Sequence, residues 1–115
     1  MKIKKIKEIL NAELLTDDIN TDVEIQAVNC ADLMSDVLAF QNKGGLLITG
    51  LINIQVLRTA AITDIVAIVF VRGKIPDKAV IDEAKSKNIL LLCTKLPMYE
   101  ACGLLYKEGL KGISE

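Results

Sequence analysis

Four short apolar runs divide this chain into alternating extended and helical segments, and that alternation constrains the fold more than any other feature. The runs are Ile25–Val28, Leu46–Ile48, Ile65–Val71 and Ile89–Leu92. Each has the length of a strand, breaks into a polar or Gly-bearing loop, and lies next to a segment with helical spacing. Repeated strand-then-helix order favours parallel strands joined by right-handed crossovers, and the β-branched run Ile65–Val71 is predicted to be the central strand.

The segments between the runs predict five helices and one short extended piece. The helices are Met1–Leu10, a helix opened by Ala31 or Asp32 that reaches Phe40, Ile54–Ile62, Pro76–Lys87 and Met98–Lys107, and the extended piece is Glu13–Leu15. A chain of 115 residues fits one domain. The sequence therefore predicts a single compact α/β domain over residues 1–115, with a mainly parallel sheet of about four strands flanked by helices.

Composition narrows the function classes. The chain has no histidine, which excludes Ser-His-Asp and Cys-His catalysis and histidine metal sites. A net charge of -1 predicts no nucleic-acid partner. The lysines of the first helix, at positions 2, 4, 5 and 7, are interpreted as its solvated face; the alternative is binding to a membrane surface. No run reaches the roughly 18 apolar residues that span a bilayer, so no transmembrane segment is expected, and with the lysines interpreted as solvated no membrane partner is expected.

The remaining reactive side chains have ordinary explanations. The three cysteines, at positions 30, 93 and 102, fit neither a disulfide framework nor a zinc site, so we expect a reduced, cytoplasmic protein with buried cysteines. The alternative is that a cysteine has a redox or nucleophilic role. Asp32 and Asp36 share one face of the predicted helix and could hold a divalent cation, but capping by Asp32 and solvation of Asp36 are favoured. We expect no metal and no cofactor.

Polar loops follow the last three predicted strands. They contribute Thr49, Gly50 and Asn53 after the second strand, Arg72, Gly73 and Lys74 after the third, and Thr94 and Lys95 after the fourth. In a parallel sheet these loops share the carboxyl edge, where hydroxyls, a glycine-rich backbone and cations suit a small anionic ligand. For Gly50 and Asn53 alone, a tight turn and a helix cap remain the simpler explanation.

Four segments resemble the small stand-alone members of the DRTGG-domain family, and together they span nearly the whole chain. They are Ala31–Phe40, Thr49–Ala60, Ile68–Lys74 and Met98–Gly103. The family is also similar to the N-terminal domain of HPr kinase/phosphorylase and occurs inside phosphotransacetylases and CBS-containing pyrophosphatases. The resemblance implies a compact α/β fold that pairs with a second copy and regulates or oligomerises an enzyme. No literal Asp-Arg-Thr-Gly-Gly string occurs, and Leu51-Ile52 stands where longer members tend to carry Asp-Arg.

The pattern and the resemblance together favour a non-catalytic regulatory module. It would bind a small anionic ligand, with a nucleotide as one candidate, and act through homodimerisation or docking to an enzyme partner. The alternative is a purely structural interaction subunit without a ligand. Its candidate interface residues are Leu51, Ile52, Met98 and Tyr99. Enzymatic activity ranks third, because a phosphotransferase needs a base and a metal cradle that the sequence does not supply.

Overall fold

The structure is a computed structural model that describes residues 1–17 and 19–114. Within them the chain forms five helices and six strands. In chain order these are α1 (Ile3–Ile9), β1 (Glu13–Leu14), β2 (Ala27–Cys30), α2 (Met34–Ala39), β3 (Leu46–Thr49), α3 (Ile54–Ile62), β4 (Ala67–Phe70), α4 (Lys78–Ser86), β5 (Leu90–Cys93), α5 (Met98–Lys107) and β6 (Lys111–Gly112).

All six strands belong to one sheet with the order β1-β5-β4-β3-β2-β6. The four central strands are parallel to one another, β6 runs parallel to β2, and β1 pairs antiparallel with β5. The predicted α/β class and the four parallel strands are thus confirmed. The two edge strands β1 and β6 have only two residues each.

Successive side chains of a strand point to opposite faces of the sheet, so both faces carry apolar side chains. Helices cover both of these faces. On one face, Leu46 and Ile48 of β3 pack with α1 and α5. On the other face, Leu47 packs with α2, α3 and α4. Strands β3, β4 and β5 are buried along their full length.

Helix α1 uses its apolar face inside the protein. Ile3, Ile6 and Leu10 are almost completely buried in the core, and the lysines of α1 are exposed. The apolar surface that membrane binding would require is therefore already packed against the sheet. Among the described residues, no helix has the length and apolar character to cross a bilayer.

Several boundaries shift by one or two residues from the sequence prediction, and two of these shifts change how the residues there are interpreted. Ile25 lies outside β2, because its N–H donates to the carbonyl of Met1 and its side chain is buried beneath α1. Helix α2 begins at Met34, with the extended Leu33 as its N-cap, so Asp32 precedes the helix. The predicted face shared by Asp32 and Asp36 therefore does not exist.

Candidate functional site

The loops after β3, β4 and β5 lie at one edge of the sheet. The strand register places Thr49 beside Phe70 and Phe70 beside Cys93, so the three strands end at the same level. The loops are also joined by their backbones: the N–H of Arg72 donates to the carbonyl of Leu96 at 2.9 Å, and the N–H of Gly73 donates to that of Thr94 at 2.8 Å. This carboxyl edge is where α/β sheets bind ligands.

Asp32 anchors the loop that follows β3. One carboxylate oxygen of Asp32 accepts a hydrogen bond from the Thr49 hydroxyl at 3.0 Å and another from the Gly50 N–H at 2.8 Å. The Thr49 hydroxyl in turn accepts the N–H of Leu51 at 3.2 Å. Because Asp32 follows β2, it ties the carboxyl ends of two neighbouring strands together.

Arg72 packs its guanidinium over Gly50. A Cβ at position 50 would lie 2.4 Å from Nη2 of Arg72 and 3.6 Å from Oδ1 of Asp32, so only a glycine allows this close approach. Arg72 is exposed, and within residues 1–17 and 19–114 its guanidinium has no hydrogen-bond or ion-pair partner. We refer to Asp32, Thr49, Gly50 and Arg72 as the Arg72 corner.

The backbone of Arg72 is unusual. It has a φ of 60°, and the other non-glycine residues with positive φ in the described part of the chain are Asn11, Asp64 and Asn88. Asparagine and aspartate tolerate this left-handed region, whereas arginine gains nothing there and the conformation costs about 1 kcal/mol or more. Strain of this kind is often retained where it aims a side chain at a ligand.

The chain changes face between β4 and β5, at this same edge. After β4 it enters α4 on one face of the sheet, and after β5 it enters α5 on the opposite face. Adjacent strands whose connections leave toward opposite faces mark the usual ligand position in such sheets. Lys74 and Lys95 stand exposed on the two loops that border it, and neither forms an ion pair with any described residue.

A cavity of about 450 Å³ lies at the end of β5. Lys95 and Glu13 supply its charged groups, and Leu10, Leu96 and Leu104 supply much of its apolar wall. Thr94 also lines it but is buried, and its hydroxyl donates to the carbonyl of Leu10 at 2.8 Å. The cavity can therefore accept an apolar group beside Lys95 and Glu13.

Six of the eight predicted binding residues fall into three groups in the structure, while Lys74 is exposed on its loop and Asn53 lies apart. Thr49, Gly50 and Arg72 meet in the Arg72 corner, Gly73 and Thr94 are joined through their backbones, and Lys95 lines the cavity. The side chain of Asn53 caps α3 by accepting the N–H of Val56 at 3.2 Å, and Asn53 adds no contact to the corner.

The predicted interface residues differ in exposure. Leu51 and Ile52 are half-buried against the core beneath α3, and Met98 is half-buried against the opposite core. Tyr99 is 85% exposed. Only Tyr99 of these four is therefore a largely free apolar surface.

Asp32 is the residue of the corner that sequence reasoning did not select. It lies two residues after the first of the parallel strands, and position after a strand is the criterion that selected the loops after the other three. The sequence prediction favoured Asp32 as a helix cap, with a helix face shared with Asp36 as the alternative, but Leu33 is the N-cap of α2. That assignment concealed the position of Asp32 at the edge. Among the described residues, no group of three or more acidic or cysteine side chains is placed to hold a metal ion.

Comparison with known proteins relates the fold to a regulatory region. No family model matches the chain, and no curated protein matches it. A solved structure of the CBS and DRTGG domains of the regulatory region of Clostridium perfringens pyrophosphatase, complexed with its activator diadenosine tetraphosphate, matches with a TM-score of 0.73 at 19% identity. The match covers 90% of this chain and 45% of that one. At this identity the likeness establishes a related fold.

Proposed function

We propose that this protein is a non-catalytic regulatory module that binds a small anionic ligand, with a nucleotide as the leading class, at the carboxyl edge of its sheet. The observation that carries the proposal is the exposed Arg72 guanidinium, which is held over Gly50 and has no hydrogen-bond or ion-pair partner among residues 1–17 and 19–114. Arginine binds phosphate through paired, charge-assisted hydrogen bonds, and a guanidinium without a protein partner is available for them.

The surroundings of Arg72 fit a nucleotide better than a bare anion. Lys74 and Lys95 add positive charge at the same edge of the sheet, and the cavity beside Lys95, which Glu13 also lines, has about 450 Å³ with largely apolar walls. The other carboxylate oxygen of Asp32 remains an acceptor that a sugar hydroxyl could use. The structurally similar pyrophosphatase region was solved with a dinucleoside polyphosphate, which supports the same ligand class.

A binding role explains the edge better than a catalytic one. Thr49 and Thr94 are its buried hydroxyls, and both are engaged with the protein itself: Thr49 with Asp32, and Thr94 with the carbonyl of Leu10. Neither can approach a substrate without breaking the contacts that hold the loops. We propose that ligand binding instead changes dimerisation or docking to an enzyme partner.

Ligand binding should appear as thermal stabilisation that depends on Arg72. We expect ATP or diadenosine tetraphosphate, at about 100 times its dissociation constant, to raise the melting temperature of the wild type by about 5–10 °C. Arg72→Ala removes the charge-assisted bonds, and the rise should fall below about 2 °C. Differential scanning fluorimetry measures both shifts.

Two further variants make this test specific. Arg58→Ala is the matched control, because it removes an exposed arginine of α3 that lies 4.0 Å from Glu83, and it should keep the full rise. Gly50→Ala keeps the charge but pushes the flexible end of Arg72 aside, so it should fold normally and show a reduced rise. A wild type without any nucleotide-dependent shift, or an Arg72→Ala variant that keeps the full shift, contradicts the proposal.

The exposed tyrosines favour a second candidate function, an interaction subunit without a ligand. Tyr99 is 85% exposed and Tyr106 is 64% exposed, and both border an apolar cleft of about 330 Å³ on α5. This candidate predicts a concentration-dependent dimer in sedimentation velocity that Tyr99→Ser weakens by about tenfold or more. Ile62→Ser, at an exposed apolar position on α3, should leave the dimer unchanged. A wild type that stays monomeric at high concentration removes the basis for self-association.

A further inference from the structure

Two cysteines that are distant in sequence meet on the β2–α5 side of the molecule. Cys30 ends β2 and is exposed, and Cys102 lies within α5 and is half-buried. The two thiols share a hydrogen bond. Both also line the same apolar cleft, together with Tyr99 and Tyr106. The third cysteine, Cys93, is buried at the end of β5 and does not line this cleft.

The interaction between the two thiols shifts their pKa values in opposite directions. Donation from Cys102 lowers the pKa of Cys30 to about 7, although partial burial and the nearby Asp32 oppose this effect. The same contact raises the pKa of Cys102, and burial adds to that rise. Near neutral pH, Cys30 therefore carries a substantial fraction of thiolate, the nucleophilic form, while Cys102 stays protonated beside it.

We propose that Cys30 and Cys102 form an oxidisable pair that closes an intramolecular disulfide when the protein meets a peroxide. The position of both thiols in one open cleft carries this assignment, because it places a second thiol beside Cys30 and gives the oxidant access to both. The reaction does not depend on the anion site.

The chemistry balances with hydrogen peroxide as the only co-reactant. The Cys30 thiolate attacks one peroxide oxygen, the O–O bond breaks, and the departing hydroxide takes a proton to become water, which leaves a sulfenic acid on Cys30. The Cys102 sulfur then attacks the Cys30 sulfur, the S–O bond breaks, and the hydroxyl leaves as water with the Cys102 proton. The two thiols lose two electrons in total, and one peroxide becomes two waters.

The disulfide would connect two parts of the fold that otherwise only pack together. Cys30 lies two residues before Asp32, whose carboxylate holds Thr49 and Gly50. A covalent bond from β2 to α5 therefore restrains the strand end from which Asp32 projects. Restriction of the unfolded chain should also raise the melting temperature of the oxidised protein.

The test treats the full chain with a small excess of hydrogen peroxide and follows it by intact mass and peptide mapping. We expect the wild type to lose two free thiols and about 2 Da, and to yield one peptide linking Cys30 with Cys102. Cys93→Ala is the matched control and should behave in the same way, since burial raises the pKa of the Cys93 thiol. Cys102→Ala should stop at a sulfenic acid on Cys30, which dimedone traps.

A pH profile distinguishes a reactive pair from two thiols that are close to each other but do not interact. Alkylation of Cys30 by iodoacetamide should rise with a midpoint near pH 7 in the wild type, and the midpoint should move to higher pH in Cys102→Ala because the donated hydrogen bond is gone. Wild-type protein that keeps both thiols under peroxide, or that forms disulfides through Cys93 or only between molecules, overturns the proposal. So does an unchanged midpoint in Cys102→Ala.

Discussion

Gly45→Ala is expected to destabilise the protein by about 2–4 kcal/mol, because the added methyl group would occupy the place of a buried amide. A Cβ at position 45 would lie 2.1 Å from Nδ2 of Asn42. That nitrogen donates to the carbonyls of Ala27 at 3.1 Å and Leu46 at 3.2 Å. Asn42 is buried, so displacing its amide leaves polar groups of β2 and β3 without partners.

Urea denaturation of Gly45→Ala measures this cost, and a second glycine provides the control. Gly103 lies within α5, and an added Cβ there would meet no atom within 4 Å. Gly103→Ala should therefore stabilise the protein by about 0.5–1 kcal/mol, since alanine has the better helix propensity. Equal stabilities for Gly45→Ala and the wild type would show that Asn42 does not join the strands as described.

Ile68→Ala is expected to cost about 2–5 kcal/mol of unfolding free energy, through lost burial and the cavity it leaves. Ile68 has no exposed surface and belongs to β4, which pairs with β3 on one side and β5 on the other. Neighbouring strands on both sides hold the backbone, so the site has little freedom to collapse around the smaller side chain.

The matched controls for Ile68→Ala vary volume and burial separately. Ile68→Val removes one methylene and should cost about 0.5–1.5 kcal/mol. Ile62→Ala makes the same chemical change at an exposed position of α3, and it should alter stability by less than about 0.5 kcal/mol. A loss at position 68 no larger than at position 62 would contradict the buried central strand. All three variants can be compared in one urea series.

The parallel sheet and several helix boundaries could be predicted from local sequence alone. Helices α3 and α5 occupy the predicted ranges Ile54–Ile62 and Met98–Lys107. Asn53 caps α3 through its side chain, as its residue type and position suggested. These features depend on hydrophobic period and on capping chemistry, both of which lie within a few residues of sequence.

The remaining features depend on contacts between distant segments. The apolar pattern placed Ile25 in a strand, but in the structure its backbone N–H donates to the carbonyl of Met1. Strand β1 lies within the predicted extended piece Glu13–Leu15, but its pairing with β5, and the whole of β6, arise because β5 and β2 offer unpaired edges. Local pattern could not reveal that pairing or the strand β6.

The candidate site shows the same limit. The direction of the strands determines which loops lie at the same edge of the sheet, and this direction could be predicted from the sequence. The approach of Arg72 to Gly50 and the bond from Asp32 to Gly50 depend on side-chain directions across neighbouring strands. The meeting of Cys30 with Cys102 arises because α5 leads the chain to β6, which lies beside β2. Reading the cysteines as separate small hydrophobes therefore missed their contact.

The central claim is an anion site at the carboxyl edge of the sheet, and the same molecule has a second place where an anion could bind. A cavity of about 490 Å³ lies at the opposite edge, where Lys43 and Lys87 provide positive charge beside Asp64. A nucleotide bound there would also stabilise the protein thermally. Only a measurement that locates the ligand separates the two edges.

Amide chemical-shift mapping with ATP or diadenosine tetraphosphate tests the claim most directly. We predict that the largest chemical-shift changes occur at the amides of Gly50, Arg72, Gly73 and Lys95, and that the amide shifts of Gly44 and Asn88 do not change. In Arg72→Ala, the nucleotide should cause no chemical-shift changes at these amides. Saturable shifts confined to Gly44 and Asn88, or no saturable shifts with either nucleotide, would contradict the account.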